Sequence, residues 1–423
     1  MKKLLGLLLL IVNCYVLNAQ TLQPAAPSTA NFSNERLQRI DKVMQQAVDS
    51  NWIAGCVTFI TRDGKIIYNK AFGYANVESK AKMQPDNIFR IASQTKAITS
   101  VAVMMLYEEG KFLLDDPISK YIPAFANPKV LDKFNDNDSS YTTVPAKREV
   151  TIRDLLTHTS GIDYALIGSP QMRAIYAKNN LNPAFGNDTM KLVNMVNKLG
   201  TMPLVHQPGE KWNYGLNVDV LGRLVEILSG MPLDQFFQQR IFQPLGMNDT
   251  YFYLPESKYS RLVTAYSEDK EHNRVPWESH PGTAGVTSNY PKTHGTYFAG
   301  GAGLSSTVKD YAIFLQMLLN GGVYNGHRLL APRTIEMMTS NQIGDLDLGK
   351  DKFGLGFEIT TAAGQAQSGL SEGSFSWGGF FSTIYWADPK KHLIGEIYLQ
   401  QSPMTRWEVS GKFKALVYQA LLD

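Results

Sequence analysis

"RIASQTKAITSVAVMML", residues 90–106, opens a long apolar run with a serine and, three residues on, a lysine. The run Ala97–Leu106 is apolar enough to predict a central buried helix. Serine is a favoured helix cap and lysine a common surface residue, so the pair has a purely structural explanation. The chemical explanation is that positions three apart share one helix face. The amine of Lys96 then stands beside the hydroxyl of Ser93 and can take the proton a serine loses on becoming a nucleophile. Spacing alone does not choose, because Ser-x-x-Lys recurs at Ser79–Lys82, Ser267–Lys270 and Ser306–Lys309. The first two lie in polar, loop-like stretches, and the third looks like the capped, solvated start of another helix. Only Ser93 heads an apolar helix.

Outward from that helix, "NERLQRIDKVMQQAVDSN" has helical spacing with Ser33-Asn34 as its cap. "GCVTFITR" and "KIIYNKAFGY" read as strands joined at Asp63-Gly64, a strong hairpin signal. From about 113 to 260 the chain is helical and loop-rich: "TIRDLLTHTSGI" runs from a Thr151 cap to Gly161, and "NVDVLGRLVEILSG" is closed by Gly230. From about 296 the segments "DYAIFLQMLL", "FGLGFEIT", "FFSTIYWADP" and "LIGEIYLQ" return to a helix and strands, and "WEVSGKFKALVYQALL" is a closing helix. The expected fold is α+β: an antiparallel sheet flanked by helices, plus an inserted, mainly helical lobe. The α/β lobe takes about 34–112 and 261–423, the helical lobe about 113–260, and residues 34–420 form one catalytic unit with a cleft between the lobes. Residues 20–33 read as a polar linker.

Composition narrows the function. Of 423 residues, 44% are apolar and 11% aromatic, enough for a large core. The net charge of +3 is nearly balanced and no basic cluster is interleaved with aromatics, which argues against nucleic acid as a partner. "MKK" followed by "LLGLLLLIV", with Ala19 before Gln20, reads as a cleaved export signal over 1–19. It places the mature protein in the periplasm or outside the cell. The apolar stretch is too short for a stable span, so no integral membrane segment is expected. Cys14 leaves with the signal, and Asn13 before it fits a lipid anchor poorly. Cys56, left alone in an alternating segment, reads as a small core residue. The seven histidines have no metal-ligand spacing, and no dinucleotide or phosphate loop occurs, so no metal or cofactor is expected.

A serine activated by lysine also needs a group to protonate the leaving group and two donors for the developing oxyanion. His158, near a helix end among small polar residues, reads as structural. Tyr214 lies in a Gly/Asn-rich turn before a helix. A phenol is a poor base in water, with a pKa of about 10, but a neighbouring ammonium favours its phenolate.

Together, "SQTK", "TIRDLLTHTSGI", "KWNYGLNVDVLGRLVEILSG", "IFQPLGMNDTYF", "FAGGAGLSSTVKDYAIFLQMLLNGG" and "SFSWGGFFSTIYWADPKKHLIGEIYLQ" follow one another as in the serine β-lactamase and penicillin-binding-protein-like hydrolases. The chain resembles the class C β-lactamase-like branch, and within it the family VIII carboxylesterases, from about residue 34 to 420. The resemblance implies Ser93 as the acylated nucleophile, Lys96 as its activating partner and Tyr214 as the first residue of a second box, usually Tyr-x-Asn. Here Leu216 holds the third position, with Asn217 beside it. The third box, usually Lys-Thr-Gly or His-x-Gly, aligns with Trp377-Gly378-Gly379. "KTHG" at 292–295 is a decoy, since it precedes "AGGAGLSST" where the family's third box follows it. The implied oxyanion donors are the backbone amides of Ser93 and Phe380.

These departures bear on the substrate. A basic third-box residue supplies a cation or donor for the carboxylate of a penicillin or a peptide terminus, and Trp377 does not. With Leu216, Asn217, Trp377, Gly378 and Gly379 as substrate-binding positions, the expected activity is a carboxylesterase on small or medium acyl esters. The expected partner is a small-molecule ester or amide substrate; the alternatives are a D-alanyl-D-alanine carboxypeptidase or cell-wall amidase, a β-lactamase, and a non-catalytic ligand-binding module that keeps the fold.

Overall fold

The computed structural model describes residues 21–181, 185, 190–279 and 286–423; the expected leader, residues 1–19, lies outside them. Eight strands trace the main sheet: β1 (Gln23–Pro24), β2 (Gly55–Arg62), β3 (Lys65–Asn76), β4 (Lys352–Phe353), β5 (Glu358–Ile359), β6 (Phe375–Gly378), β7 (Thr383–Asp388) and β8 (Leu393–Tyr398). They lie in the order β1-β3-β2-β8-β7-β6-β5-β4, with Ala81–Lys82 beside β3. Every pairing on this path is antiparallel except that of β1 with β3. Asp63 and Gly64 both take positive φ, 53° and 73°, the backbone that a two-residue hairpin turn needs. The register from Val57↔Tyr398 to Arg62↔Leu393 joins the first part of the chain to the last, so both ends build one lobe.

Six helices place the rest: α1 (Asn34–Asp49), α2 (Thr95–Glu108), α3 (Ile152–Thr157), α4 (Asn217–Ser229), α5 (Val308–Leu319) and α6 (Glu408–Gln419). Ser33 caps α1 by accepting from the Arg36 amide. The sheet is covered on both faces, because β2 is apolar on both. Cys56 and Ile60 meet Met44 of α1 and Phe413 of α6 in one core. Val57 and Phe59 join Ile98 and Val101 of α2 and Phe314 of α5 in the other. Cys56 is fully buried, and burial pushes its thiol up to about 12. Every residue of α2 from Thr95 to Leu106 is buried, as the apolar run requires.

Four details differ from the sequence reading. Residues 21–33 are packed against the lobe: β1 pairs with β3, and Leu22 and Phe32 are buried. The mainly helical lobe holds a hairpin, Lys129–Phe134 with Tyr141–Pro145, whose mostly exposed strands carry no apolar alternation. Helix α3 stops at His158, which takes φ 59°, three residues before Gly161. Thr307, not Ser306, caps α5 by accepting from the Asp310 amide. Among the described residues no helix is long and apolar enough to cross a membrane.

Candidate active site

The chain enters α2 through a sharp turn. Phe89–Arg90 pairs with Ser305–Ser306, and Ile91 donates its amide to Leu304 O. Ala92 then takes φ 42°, a left-handed value that costs a residue with a Cβ about 1–2 kcal/mol. A 3-10 turn, Ala92–Gln94, runs into the helix. The turn leaves Ser93 partly exposed while Ala92 and Gln94 are buried.

Lys96 lies one turn on, 3% exposed. Its Nζ donates to Ser93 Oγ at 3.2 Å, Tyr164 OH at 3.0 Å and Gly301 O at 2.7 Å. At the other three Ser-x-x-Lys sites the lysine is exposed. The structure thus brings Ser93 and Lys96 together as expected. Tyr214 lies against this pair and shares the cleft with Ser93. Its ring centroid is 4.7 Å from Lys96 Nζ, but its hydroxyl accepts from Trp377 Nε1 at 3.3 Å. The phenol that accepts directly from Lys96 is that of Tyr164, a residue the sequence did not single out among twenty tyrosines. Tyr164 is buried, and burial, together with Tyr214 and Asp219 nearby, holds its phenol well above the ordinary range. His158 is buried beside the site: burial and the Lys96 charge hold its imidazole well below its usual value, and its Nδ1 accepts from Asn217 Nδ2 at 2.9 Å.

The cleft, about 420 Å³, is lined by Ser93, Tyr214, Trp377, Gly378, Gly379 and Phe380, with Ile167, Ile384 and Trp407 around them. Trp377-Gly378 of β6 is paired on one side only: β7 pairs with both residues, while β5 pairs only with Phe375 and Ser376. A Cβ on Gly379 would collide with the Ile91 carbonyl and the Thr383 hydroxyl, so glycine there lets the strand end lie against the Ser93 turn. Gly379 donates its own amide to Thr383 O at 2.7 Å, while the Phe380 amide has no backbone partner among the described residues. Two expected substrate positions fall outside the cleft. Leu216 is fully buried in the core, and Asn217 is buried with its carbonyl accepting from Ser160 Oγ and its amide on His158. Helix α4 starts there, so both side chains turn into the lobe. The decoy residues His294 and Gly295 line a different groove.

This arrangement presents a hydroxyl, an amine, a phenol and a free amide around one apolar cleft, the parts that acyl transfer to serine requires. A family model described as Beta-lactamase matches residues 40–418. The lovastatin esterase of Penicillium rubens is 32% identical over 387 residues, 84% of this chain and 91% of that protein. A protein of Escherichia coli provisionally named D-alanyl-D-alanine carboxypeptidase is 30% identical over 417 residues, 93% and 89% of the two chains. The solved structure of EstCE1, a hydrolase with promiscuous acyltransferase activity, superposes with a TM-score of 0.77 at 26% identity, covering 90% of this chain and 98% of its own.

Proposed function

The chain belongs to the Beta-lactamase family and is a serine hydrolase, and from that premise we propose that it is an exported carboxylesterase acting on small or medium acyl esters through an acyl-enzyme on Ser93. The observation that carries this reading is Trp377. It stands where a basic residue would meet a substrate carboxylate, and its single N–H is already turned inward to Tyr214. Lys414, the one ammonium lining the cleft among the described residues, has Glu358 and Asp351 nearby to offset it. The aromatic and aliphatic lining suits an uncharged acyl chain.

In the first half-reaction Ser93 Oγ attacks the ester carbonyl and its proton passes to the Lys96 amine. The backbone amides of Ser93 and Phe380 receive the oxyanion. The C–O bond breaks, and the leaving alkoxide takes that same proton from the Lys96 ammonium by way of Tyr214, the phenol that lies against Lys96 and lines the cleft, which leaves Lys96 an amine again. Water then attacks the acyl-enzyme by the same route in reverse, releasing the acid and restoring the serine.

The E. coli relative supports a second reading, a D-alanyl peptidase. Purified protein starting at Gln20, the expected mature N-terminus, is to be treated with a fluorophosphonate probe and mapped by mass. It is then to be assayed on p-nitrophenyl esters, a chromogenic cephalosporin and a D-Ala-D-Ala peptide. We expect the label on Ser93 and the highest kcat/KM on the esters. A label on Ser267 or Ser306 alone would overturn the nucleophile. Faster release of D-alanine, or faster cephalosporin hydrolysis, would overturn the esterase.

A further inference from the structure

We propose that Asp219, the third residue of α4, is the counter-charge that sets the protonation of Lys96 during turnover. The proposal rests on Lys96 serving as the base. Asp219 is fully buried, and neither carboxylate oxygen has a hydrogen-bond partner of good geometry among the described residues. An ion buried with so little to bond it is costly, so its position needs a reason. Gly301 gives the geometry. A Cβ at Gly301 would stand 2.5 Å from Asp219 Oδ2 and 3.5 Å from Lys96 Nζ. The carboxylate and the ammonium therefore face each other across Gly301, whose carbonyl also accepts from Lys96.

Among the described residues, the titratable groups that face this pair come from several segments. They are Lys96 on α2, His158 at the end of α3, Tyr164 beyond it, Tyr214 before α4, and Tyr297 on the stretch leading to Gly301. His158 is held neutral, so Lys96 is the cation that Asp219 meets. Burial pushes the Asp219 carboxyl up to about 7, against the pull of Lys96 and the Gly301 amide. An acid in the first turn of a helix is also favoured by the helix dipole. That role explains an exposed carboxylate near free amides, but not one enclosed beside a buried ammonium.

When Asp219 is ionised it favours the ammonium form of Lys96, and when it is neutral it releases that hold. Lys96 must be an amine to accept the Ser93 proton. Asp219 touches neither substrate nor Ser93 and acts only through Lys96, as a positioning residue.

Asp219→Asn keeps the shape and removes the charge. We expect the ascending limb of its kcat/KM profile on a neutral p-nitrophenyl ester to move to lower pH by about one unit or more, the effect of losing an opposite charge at this range. A profile of unchanged shape, merely scaled down, would overturn the proposal and return Asp219 to packing. A comparison of wild type with Lys96→Met stands in if that variant does not fold. Infrared spectroscopy should show a protonated-carboxyl band lost near neutral pH, with a midpoint that rises in Lys96→Met. A midpoint that stays put would also overturn it. The infrared result needs no turnover, so it is independent of the esterase reading, which fails on its own if Ser93 is not labelled.

Discussion

Two phenols stand at Lys96, and their positions assign them different work. Tyr164 is buried and holds Lys96 Nζ at 3.0 Å, whereas Tyr214 is half-buried and lines the cleft. Only the second can reach a leaving group. Tyr214→Phe is expected to lower kcat at least about 10²-fold, the low end of general acid–base contributions, with an unchanged Tm. Tyr164→Phe removes an acceptor from a buried ammonium, so it is expected to lower Tm as well as activity, by about 1.5–3 kcal/mol of stability. The reverse pattern, measured by steady-state kinetics and thermal melts on both variants, would exchange their roles. At Trp377 the test is a ratio. Trp377→Lys restores a cation, and a charge-assisted hydrogen bond is worth about 1.5–3 kcal/mol, so cephalosporin over ester kcat/KM is expected to rise roughly 10–100-fold. An unchanged ratio would clear Trp377 of setting the preference. Ser93 and Lys96 were legible because the pattern that pairs them is local to one helix. Tyr164 was not, since 68 residues separate it from Lys96 and only the folded lobe brings it there. Leu216 and Asn217 were misplaced for a related reason: their box was aligned by order along the chain, while the start of α4 decides which way they point.

The elements around the site act as two facing edges, the strained turn before α2 and the end of β6 whose outer edge is unpaired. Their contact is backbone against backbone at Gly379 and Ile91, so it cannot yield as a flexible side chain can. Gly379→Ala is expected to push the strand end away from Ser93, displacing the Phe380 amide and costing activity by about 10²-fold, the scale of losing one oxyanion donor. Gly411→Ala, where a Cβ meets nothing within 4 Å, is the control and is expected to leave activity unchanged. Equal activity in the two variants would show that β6 does not fix the donor. Element by element, legibility followed period and punctuation. The hairpin of β2 and β3 was readable from Asp63-Gly64, and α4 from its apolar stripe and Gly230. β1 was not, because two residues carry no period, and Leu22 and Phe32 are too far apart in a polar stretch to signal a strand. The exposed hairpin at 129–145 buries almost none of its strands, so nothing in its pattern distinguishes it from a loop.

At the scale of the whole molecule, the sheet that unites the two ends of the chain also buries acid. Glu396 lies on β8, fully buried, with neither oxygen bonded among the described residues, and burial holds its carboxyl well above the usual range. Asp219 and Asp310 are pushed up to about 7 and about 6 by the same cause. Unfolded, such groups ionise near 4. Between that value and their raised folded values the folded chain binds more protons than the unfolded one, so stability falls as pH rises. His158 works the other way: burial depresses it, and its contribution is lost as pH drops below about 6.5. Stability is therefore expected to be greatest on the acid side of neutrality. The charge on Asp219, which the proposed control of Lys96 needs, comes at the expense of folding. Glu396 separates the two effects, because it lies outside the cleft and has no part in the proposed chemistry. Glu396→Gln imitates the protonated side chain and removes its titration. The Tm difference between variant and wild type is expected to widen from pH ~5 to ~8, each unit adding up to about 1.4 kcal/mol in the variant's favour. Ester turnover at neutral pH is expected to stay unchanged. A constant Tm difference across that range would mean that Glu396 ionises in the folded protein much as it does in the unfolded chain, and that the central strand carries a charge its surroundings accommodate.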